Sequence, residues 1–391
     1  MKKKLSILLT ALMIATMGLS GCKSKEKEPV ATGDDVIKDV IKIGVFEPLT
    51  GANAGGGELE LEGIKLANKL YPEVLGKKIE LVVLDNKSDK VEAANAASRL
   101  VDKEKVTAII GSWGSSLSMS AGDIIKKAKI PTMGTSCTNP LVTKGNEYYF
   151  RVCFIDPFQG TVMANYAFST LKAKKVAIVQ EVSNDYAIGL AKYFTDSFKK
   201  LTGDPDCIIA VTNYNTGDQD FTAQLTNLKA KNPDVIFAPG NFTESALVIK
   251  QARQLGITAP FIGGDTWETP AFLEIGKEAV EGSTFSTFFA TEKPITKESE
   301  VFLTAYRKEY GKEPAAVTAL AYDAYIILLD GLKRVGSADS IKLRDELART
   351  KDFQGAAGVI NFDENRDAVK SAVIKEVKGG KFTFKEVIQP K

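Results

Sequence analysis

"VTAIIGSWGSSLSMSAGDIIKKAKIPTMGT", Val106–Thr135, carries one complete architectural unit. Its first six residues form an apolar run of strand length, as expected for a strand covered on both faces. Ser115–Ala128 has helical periodicity, and "IPTMGT" (Ile130–Thr135) is a second short apolar run. Strand, helix, strand in this order is a βαβ unit, which sets its two strands parallel. Between the first strand and the helix lies a cluster of hydroxyls. Backbone and hydroxyl donors at a helix start suit an anion.

The alternation extends in both directions. Upstream, "IKIGVF" (Ile41–Phe46) precedes "ELELEGIKLANKLY" (Glu58–Tyr71), where Leu59, Ile64, Leu66, Ala67 and Leu70 recur at helical spacing. "KIELVVLD" (Lys78–Asp85) reads as a strand and "KVEAANAASRLVDKE" (Lys90–Glu104) as a helix. Downstream the pattern restarts with strands in "KKVAIVQE" (Lys174–Glu181), "DCIIAVTNY" (Asp206–Tyr214), "PDVIFAPG" (Pro233–Gly240) and "APFIGGD" (Ala259–Asp265). Helices over Ile188–Leu201, Phe221–Ala230 and Glu244–Leu255 separate them. The second unit repeats the architecture of the first, not its sequence. The fold class is therefore α/β with two doubly wound, Rossmann-like lobes. Beyond Val40 about 350 residues remain, more than one core usually serves.

The C-terminal third shows helices over Lys297–Tyr310 and Ala315–Arg334. Strands follow around "GVINFD" (Gly358–Asp363) and "AVIKEVKGGKFTFKEV" (Ala372–Val387). This is too little for a third domain, so it completes the two lobes. The chain then passes between lobes three times, near Asp156, Phe288 and Asp363. One lobe spans 40–156 plus 288–362, the other 157–287 plus 363–391.

The N-terminus is of a different kind. "MKKK" is basic, "LSILLTALMIATMG" (Leu5–Gly18) has signal-peptide length, and "LSGC" (Leu19–Cys22) resembles a bacterial lipobox. This predicts a lipoprotein signal peptide over 1–21 and a lipid on Cys22, against an ordinary secretory signal with a chance cysteine. Residues 22–39, charged and poor in apolar residues, read as a flexible tether.

Composition excludes several classes of function. There are 51 Lys+Arg and 49 Asp+Glu, a formal charge of +2. Without Lys2, Lys3 and Lys4 the balance is 48 against 49, about −1, so no basic field attracts nucleic acid. The chain has no histidine, which removes Ser-His-Asp and Cys-His nucleophiles and His-ligated zinc. Four cysteines, Cys22, Cys137, Cys153 and Cys207, show no C-x-x-C spacing. Cys137 and Cys153 could pair, or all three internal cysteines could be buried thiols.

Open α/β sheets bind ligands at the carboxyl ends of their strands, so the segments after each strand are the candidates. "EPLTGANAGGGELELEG" (Glu47–Gly63) does not fit G-x-G-x-x-G, and its acids would repel a pyrophosphate. It reads as a flexible glycine turn followed by helix-stabilising acids. No G-K-[ST] occurs. Ser115, Ser116 and Ser118 either cap a helix or form an anion site. "GTSCTNP" (Gly134–Pro140) adds Thr135, Ser136 and Thr138 on the neighbouring strand end. The second lobe offers Tyr186 in "EVSNDYAIG" (Glu181–Gly189), and Asp265 with Trp267 in "GGDTWETP" (Gly263–Pro270). Asp265 could equally be an N-cap or turn residue. "DENRD" (Asp363–Asp367) lacks the glycine and glutamate of an EF-hand and reads as a polar turn.

Ten segments in order carry a resemblance to one family, among them "IKIGVFEPLTGANA", "TAIIGSWGSSLS", "IPTMGTSCTNPLVT", "FRVCFIDPFQG", "VAIVQEVSNDYAIGLA" and "FIGGDTW". The chain resembles, over residues 40–390, the substrate-binding proteins of branched-chain amino acid ABC transporters, which have the type I periplasmic binding fold. The resemblance implies a three-strand hinge between the lobes and an apolar α-amino acid held between them. It implies no enzymatic activity, no cofactor and no metal. It also implies a monomer that docks on ABC permease subunits and is anchored outside the cytoplasm. Carried over by position, Ser115 and Thr138 bind the carboxylate and Ser136 marks a backbone contact. Tyr186 closes from the second lobe, Asp265 takes the ammonium, and Trp113 borders the side-chain pocket. Two positions depart from the pattern: Gly56 stands where a covering aromatic is usual, and Asn241, beside Phe242, replaces another. Two other readings remain at this point: a sensor subunit of the same fold, and an exported hydrolase with a Ser–Lys pair.

Overall fold

The computed structural model describes residues 40–390. The segments read as signal peptide and tether, with Cys22, lie outside the described residues. In the first sheet, β1 (Val40–Glu47), β2 (Glu73–Val74), β3 (Lys77–Asp85), β4 (Ala108–Ile110), β5 (Thr132–Gly134) and β6 (Tyr149–Arg151) are ordered β2-β3-β1-β4-β5-β6. All pairs are parallel except the short β2–β3 edge. The covering helices are α1 (Ala54–Leu70), α2 (Lys90–Arg99) and α3 (Ser115–Ala128). β4, β5 and β6 are buried along their whole length, which explains the apolar runs read at β4 and β5; β6, "YFR", was not anticipated.

After β6 the chain enters α4 (Asp156–Asn165) and builds a second sheet. Its parallel strands are β7 (Val176–Glu181), β8 (Ile208–Tyr214), β9 (Val235–Phe237), β10 (Phe261–Gly263) and β11 (Thr284–Thr287). They alternate with α5 (Asp185–Thr202), α6 (Thr222–Lys229), α7 (Phe242–Gln254) and α8 (Pro270–Gly276). The sequence reading anticipated neither α8 nor β11. β11 is "TFST", whose alternating hydroxyls give no apolar run; it is a strand because it is paired on both sides.

The chain then returns to pack α9 (Lys297–Tyr310), α10 (Ala316–Val335) and α11 (Ser340–Leu347) beside the first sheet. α10 lies along α1, where a Cβ on Gly63 would come within 2.1 Å of the Thr318 carbonyl oxygen; only glycine permits that approach. A small sheet of β12 (Phe353–Gly355), β13 (Gly358–Phe362) and β14 (Ala368–Val369) follows. The hairpin β15 (Ala372–Lys378) and β16 (Lys381–Ile388) closes the edge of the second sheet, antiparallel to β11. "DENRD" is the turn between β13 and β14. Since β14 still pairs with β13, the chain joins the second sheet only at Ala372, later than the expected Asp363.

Arg151 and Asp367 bind the first and last of these passages together. The buried guanidinium donates to Asp367 Oδ1 at 2.6 Å, to the carbonyls of Cys137 (2.6 Å) and Asn139 (2.8 Å), and to Thr143 Oγ1 (2.6 Å). It thus fixes both sides of Thr138. Cys137, Cys153 and Cys207 are buried free thiols.

Candidate ligand-binding site

In both sheets the first strand lies between the next two parallel strands of the chain: β3-β1-β4 and β8-β7-β9. The flanking connections leave toward opposite faces there and open a crevice at the strand ends. Trp113 and Ser115 follow β4, while Asn241 and Phe242 follow β9.

The serine cluster does not cap α3. Its N-cap is Gly114, at φ 92°, with no side-chain cap. Ser115 Oγ instead accepts from Asn139 N (3.1 Å), and Ser118 Oγ donates to the Ser112 carbonyl (3.0 Å). The first turn of α3 carries no acid. Its leading N–H groups have no carbonyl one turn back, so this end favours an anion.

The glycine run after β1 is not a flexible turn. Gly55, Gly56 and Gly57 lie in the opening of α1, and the reason is close packing. A Cβ on Gly56 would sit 2.4 Å from Trp113 Cε2, and one on Gly57 2.1 Å from the Pro48 carbonyl oxygen. The Trp113 indole thus occupies the space that a side chain at 56 would take. Phe242 meets it edge-on, with ring centroids 6.1 Å apart. An apolar wall is therefore present, built from other positions than the expected two.

Of the acids that follow, Glu60 turns inward, while Glu58 stays exposed and Glu62 pairs with Lys312. Glu60 accepts from Thr135 Oγ1 and Ser136 Oγ, both at 2.5 Å, and Glu47 Oε2 accepts from Trp113 N at 2.7 Å. Burial raises both carboxyls, Glu60 to about 8, and Glu60 pushes Glu47 further. The Ser136 hydroxyl is thus committed to Glu60.

On the second-sheet side, Asp265 opens a short 3-10 turn after β10 and is buried. It is not an N-cap: its Oδ1 accepts from Gln159 Nε2 (2.7 Å) and Tyr186 OH (3.1 Å). Gly264 makes room for this arrangement, since a Cβ there would fall 2.0 Å from the Tyr186 hydroxyl. Burial raises the Asp265 carboxyl to about 6, against the lowering effect of those two donors. Two residues were missed in the sequence, Asp156 and Gln159. They lie three apart at the start of α4 and so share a face. Asp156 is fully buried with both carboxyl oxygens unpartnered, as are Gln159 Oε1 and Thr138 Oγ1. Burial drives Asp156 well above its ordinary value, and Asp265 adds to the push. The available signal was "FIDPFQG": polar residues inside an apolar passage have no place on a solvated face.

Trp113, Ser115, Ser136 and Tyr186 line one cavity with Asn53, Asn241 and Thr266. Its volume is about 80 Å³. Thr138 and Asp265 are not in its wall; Asp265 is bonded to the Tyr186 hydroxyl that is. The walls touch: Asn241 Nδ2 donates to Asn53 Oδ1 at 2.9 Å, from the second-sheet side to the first. Chemically the cavity offers donors from the start of α3, and beside its Tyr186 wall lie two buried carboxyls, Asp265, which accepts from two donors, and Asp156, which is unpartnered. Leaving two carboxyls buried without a cation is unfavourable, so the arrangement suits a ligand bearing both charges.

The family model "periplasmic binding protein" matches residues 40–381. The chain belongs to this family. The leucine binding protein LivK of Thermotoga maritima is 45% identical to it, covering 90% of this chain and 99% of that one, with a TM-score of 0.86. The branched-chain amino acid transporter substrate binding protein LivJ of Streptococcus pneumoniae, solved with isoleucine, is 35% identical. It covers 90% of this chain and 100% of its own, with a TM-score of 0.84. The Leu/Ile/Val-binding protein BraC3 of Rhizobium johnstonii is 30% identical over 92% of this chain and 93% of its own. Periplasmic binding proteins of this kind bind and deliver; they are not enzymes, which removes the hydrolase reading.

Proposed function

We propose that this periplasmic binding protein captures a branched-chain α-amino acid between its two lobes and delivers it to the permease of an ABC importer. The observation that carries the reading is the buried Asp265 carboxyl, bonded to the Tyr186 hydroxyl that lines the same cavity as Ser115 at the acid-free start of α3. A zwitterion satisfies both ends at once. Its carboxylate is held by Ser115 and the leading N–H groups of α3, with Ser136 alongside. Its ammonium lies against Asp156 and Asp265, with Tyr186 closing over it, and the Thr138 hydroxyl joins Ser115 at the carboxylate. Trp113 and Phe242 receive the apolar side chain. The names of the relatives support the ligand class, leucine, isoleucine and valine. The lobes 40–156 plus 288–362 and 157–287 plus 363–391 rotate about the passages that Arg151 and Asp367 tie together. A lipid on Cys22 keeps the monomer beside the permease, raising its effective concentration there.

Calorimetry on the chain from Asp39, which forms one compact unit, tests the ligand. Leucine, isoleucine or valine should bind, and the corresponding α-keto acid, which lacks the ammonium, should not. Binding of the keto acid but of no amino acid would overturn the assignment.

A further inference from the structure

Asp185 begins α5, on the second-sheet side, and does not line the cavity. Its Oδ2, backbone N–H and carbonyl nevertheless all bond to the first-sheet side. Its Oδ2 accepts from Lys90 Nζ at 2.9 Å and from Ser116 Oγ at 2.7 Å. Its backbone N–H donates to the same Ser116 oxygen at 3.0 Å, and its carbonyl accepts from Asn139 Nδ2 at 2.9 Å. Lys90 opens α2, Ser116 lies in the first turn of α3, and Asn139 follows Thr138. One residue of the second lobe therefore gathers three separate segments of the first, across the mouth of the crevice.

We propose that Asp185 is a closure latch: a positioning residue that sets how long ligand is retained, without contacting it. This rests on the proposed ligand-binding reading of the same crevice. None of these contacts can persist when the lobes separate, since each pairs an atom of one lobe with an atom of the other. Ligand enters while they are open and they close behind it, so they act on escape rather than on entry. Asn139 and Ser116 also adjoin Thr138 and Ser115, so the latch and the ligand contacts share backbone. The Lys90 pair is half exposed and contributes little alone. The Ser116 bond to a charged, partly buried acceptor is the stronger contact.

The test uses the full chain and isoleucine as probe, with Trp113 in the cavity wall as the fluorescent reporter in stopped flow. Asp185→Ala should release isoleucine about tenfold faster or more, which corresponds to 1.4 kcal/mol per factor of ten, and the association rate should stay within about threefold. Asp185→Asn, which keeps an acceptor for Ser116, should recover most of the retention, and Lys90→Met should have the smallest effect. Equal release rates in wild type and Asp185→Ala would overturn the latch. If wild type does not bind isoleucine, the ligand reading fails instead, and small-angle scattering of the ligand-free proteins decides the latch. A larger radius of gyration for Asp185→Ala than for wild type supports it, and equal radii overturn it.

Discussion

Affinity for an amino acid should depend on pH through Asp265. In the ligand-free protein burial holds this carboxyl at about 6, and an ammonium placed beside it requires the ionised form. Binding below that value therefore releases a proton. At pH 5 about one molecule in eleven carries the carboxylate, and at pH 7 about ten in eleven, so through this group the Kd at pH 5 should be up to about tenfold weaker. Asp156 is pushed the same way, and its ionisation would steepen the slope. The ligand stays zwitterionic over this range, so the change belongs to the protein. Stability without ligand should move in the opposite direction. Between the ordinary 3.8 and about 6, the folded protein keeps a proton that the unfolded chain has lost. Its stability then falls as pH rises through that window, by up to about 3 kcal/mol. Calorimetry with isoleucine from pH 5 to 7.5, in buffers of different ionisation enthalpy, reads both the affinity and the protons released. Asp265→Asn should flatten the slope and weaken binding by tens of fold, since truncating one partner of a buried charge pair costs roughly 2–5 kcal/mol. A wild-type Kd that is flat over this range, with no proton release, would refute the pairing of ammonium with Asp265.

Gly56→Ala places a methyl 2.4 Å from the Trp113 ring and should displace it. Overpacking of this kind costs about 1–3 kcal/mol, and isoleucine affinity should fall by tenfold or more; an unchanged Kd would show that Trp113 is not part of the wall. Arg151→Met removes the guanidinium from Asp367 and from the Cys137 and Asn139 carbonyls, leaving a carboxylate buried. Denaturant unfolding should show a loss of about 3–5 kcal/mol; a loss under 1 kcal/mol would mean that this junction is not a structural tie. Cys22→Ser should move the protein from the membrane fraction to the soluble one with isoleucine binding intact, and unchanged fractionation would count against the lipid.

Much of this molecule can be read from local pattern. The alternation of short apolar runs with helical periodicity sets the α/β class, because parallel strands buried on both faces must be apolar throughout. α3 and α9 have the limits read from the sequence, Ser115–Ala128 and Lys297–Tyr310. The strand-end rule also directs attention to the loops that carry Trp113, Ser115, Ser136, Tyr186 and Asp265. What local pattern could not decide is which face each polar residue presents and what it meets. Glu60 sits among acids suited to a solvated helix, yet it is buried against hydroxyls 75 and 76 residues away. Gly55–Gly57 look like a turn, yet they open α1, and Gly56 and Gly57 are glycines because Trp113 and Pro48 leave no room for a Cβ. Asp156 and Gln159 gain meaning only when α4 brings them to Asp265, more than a hundred residues on. Asp185 becomes a candidate latch only when the two lobes meet. Periodicity is imposed by the backbone, residue by residue, and is visible in one dimension. Pairing is imposed by distance in three dimensions, and only the folded chain supplies it.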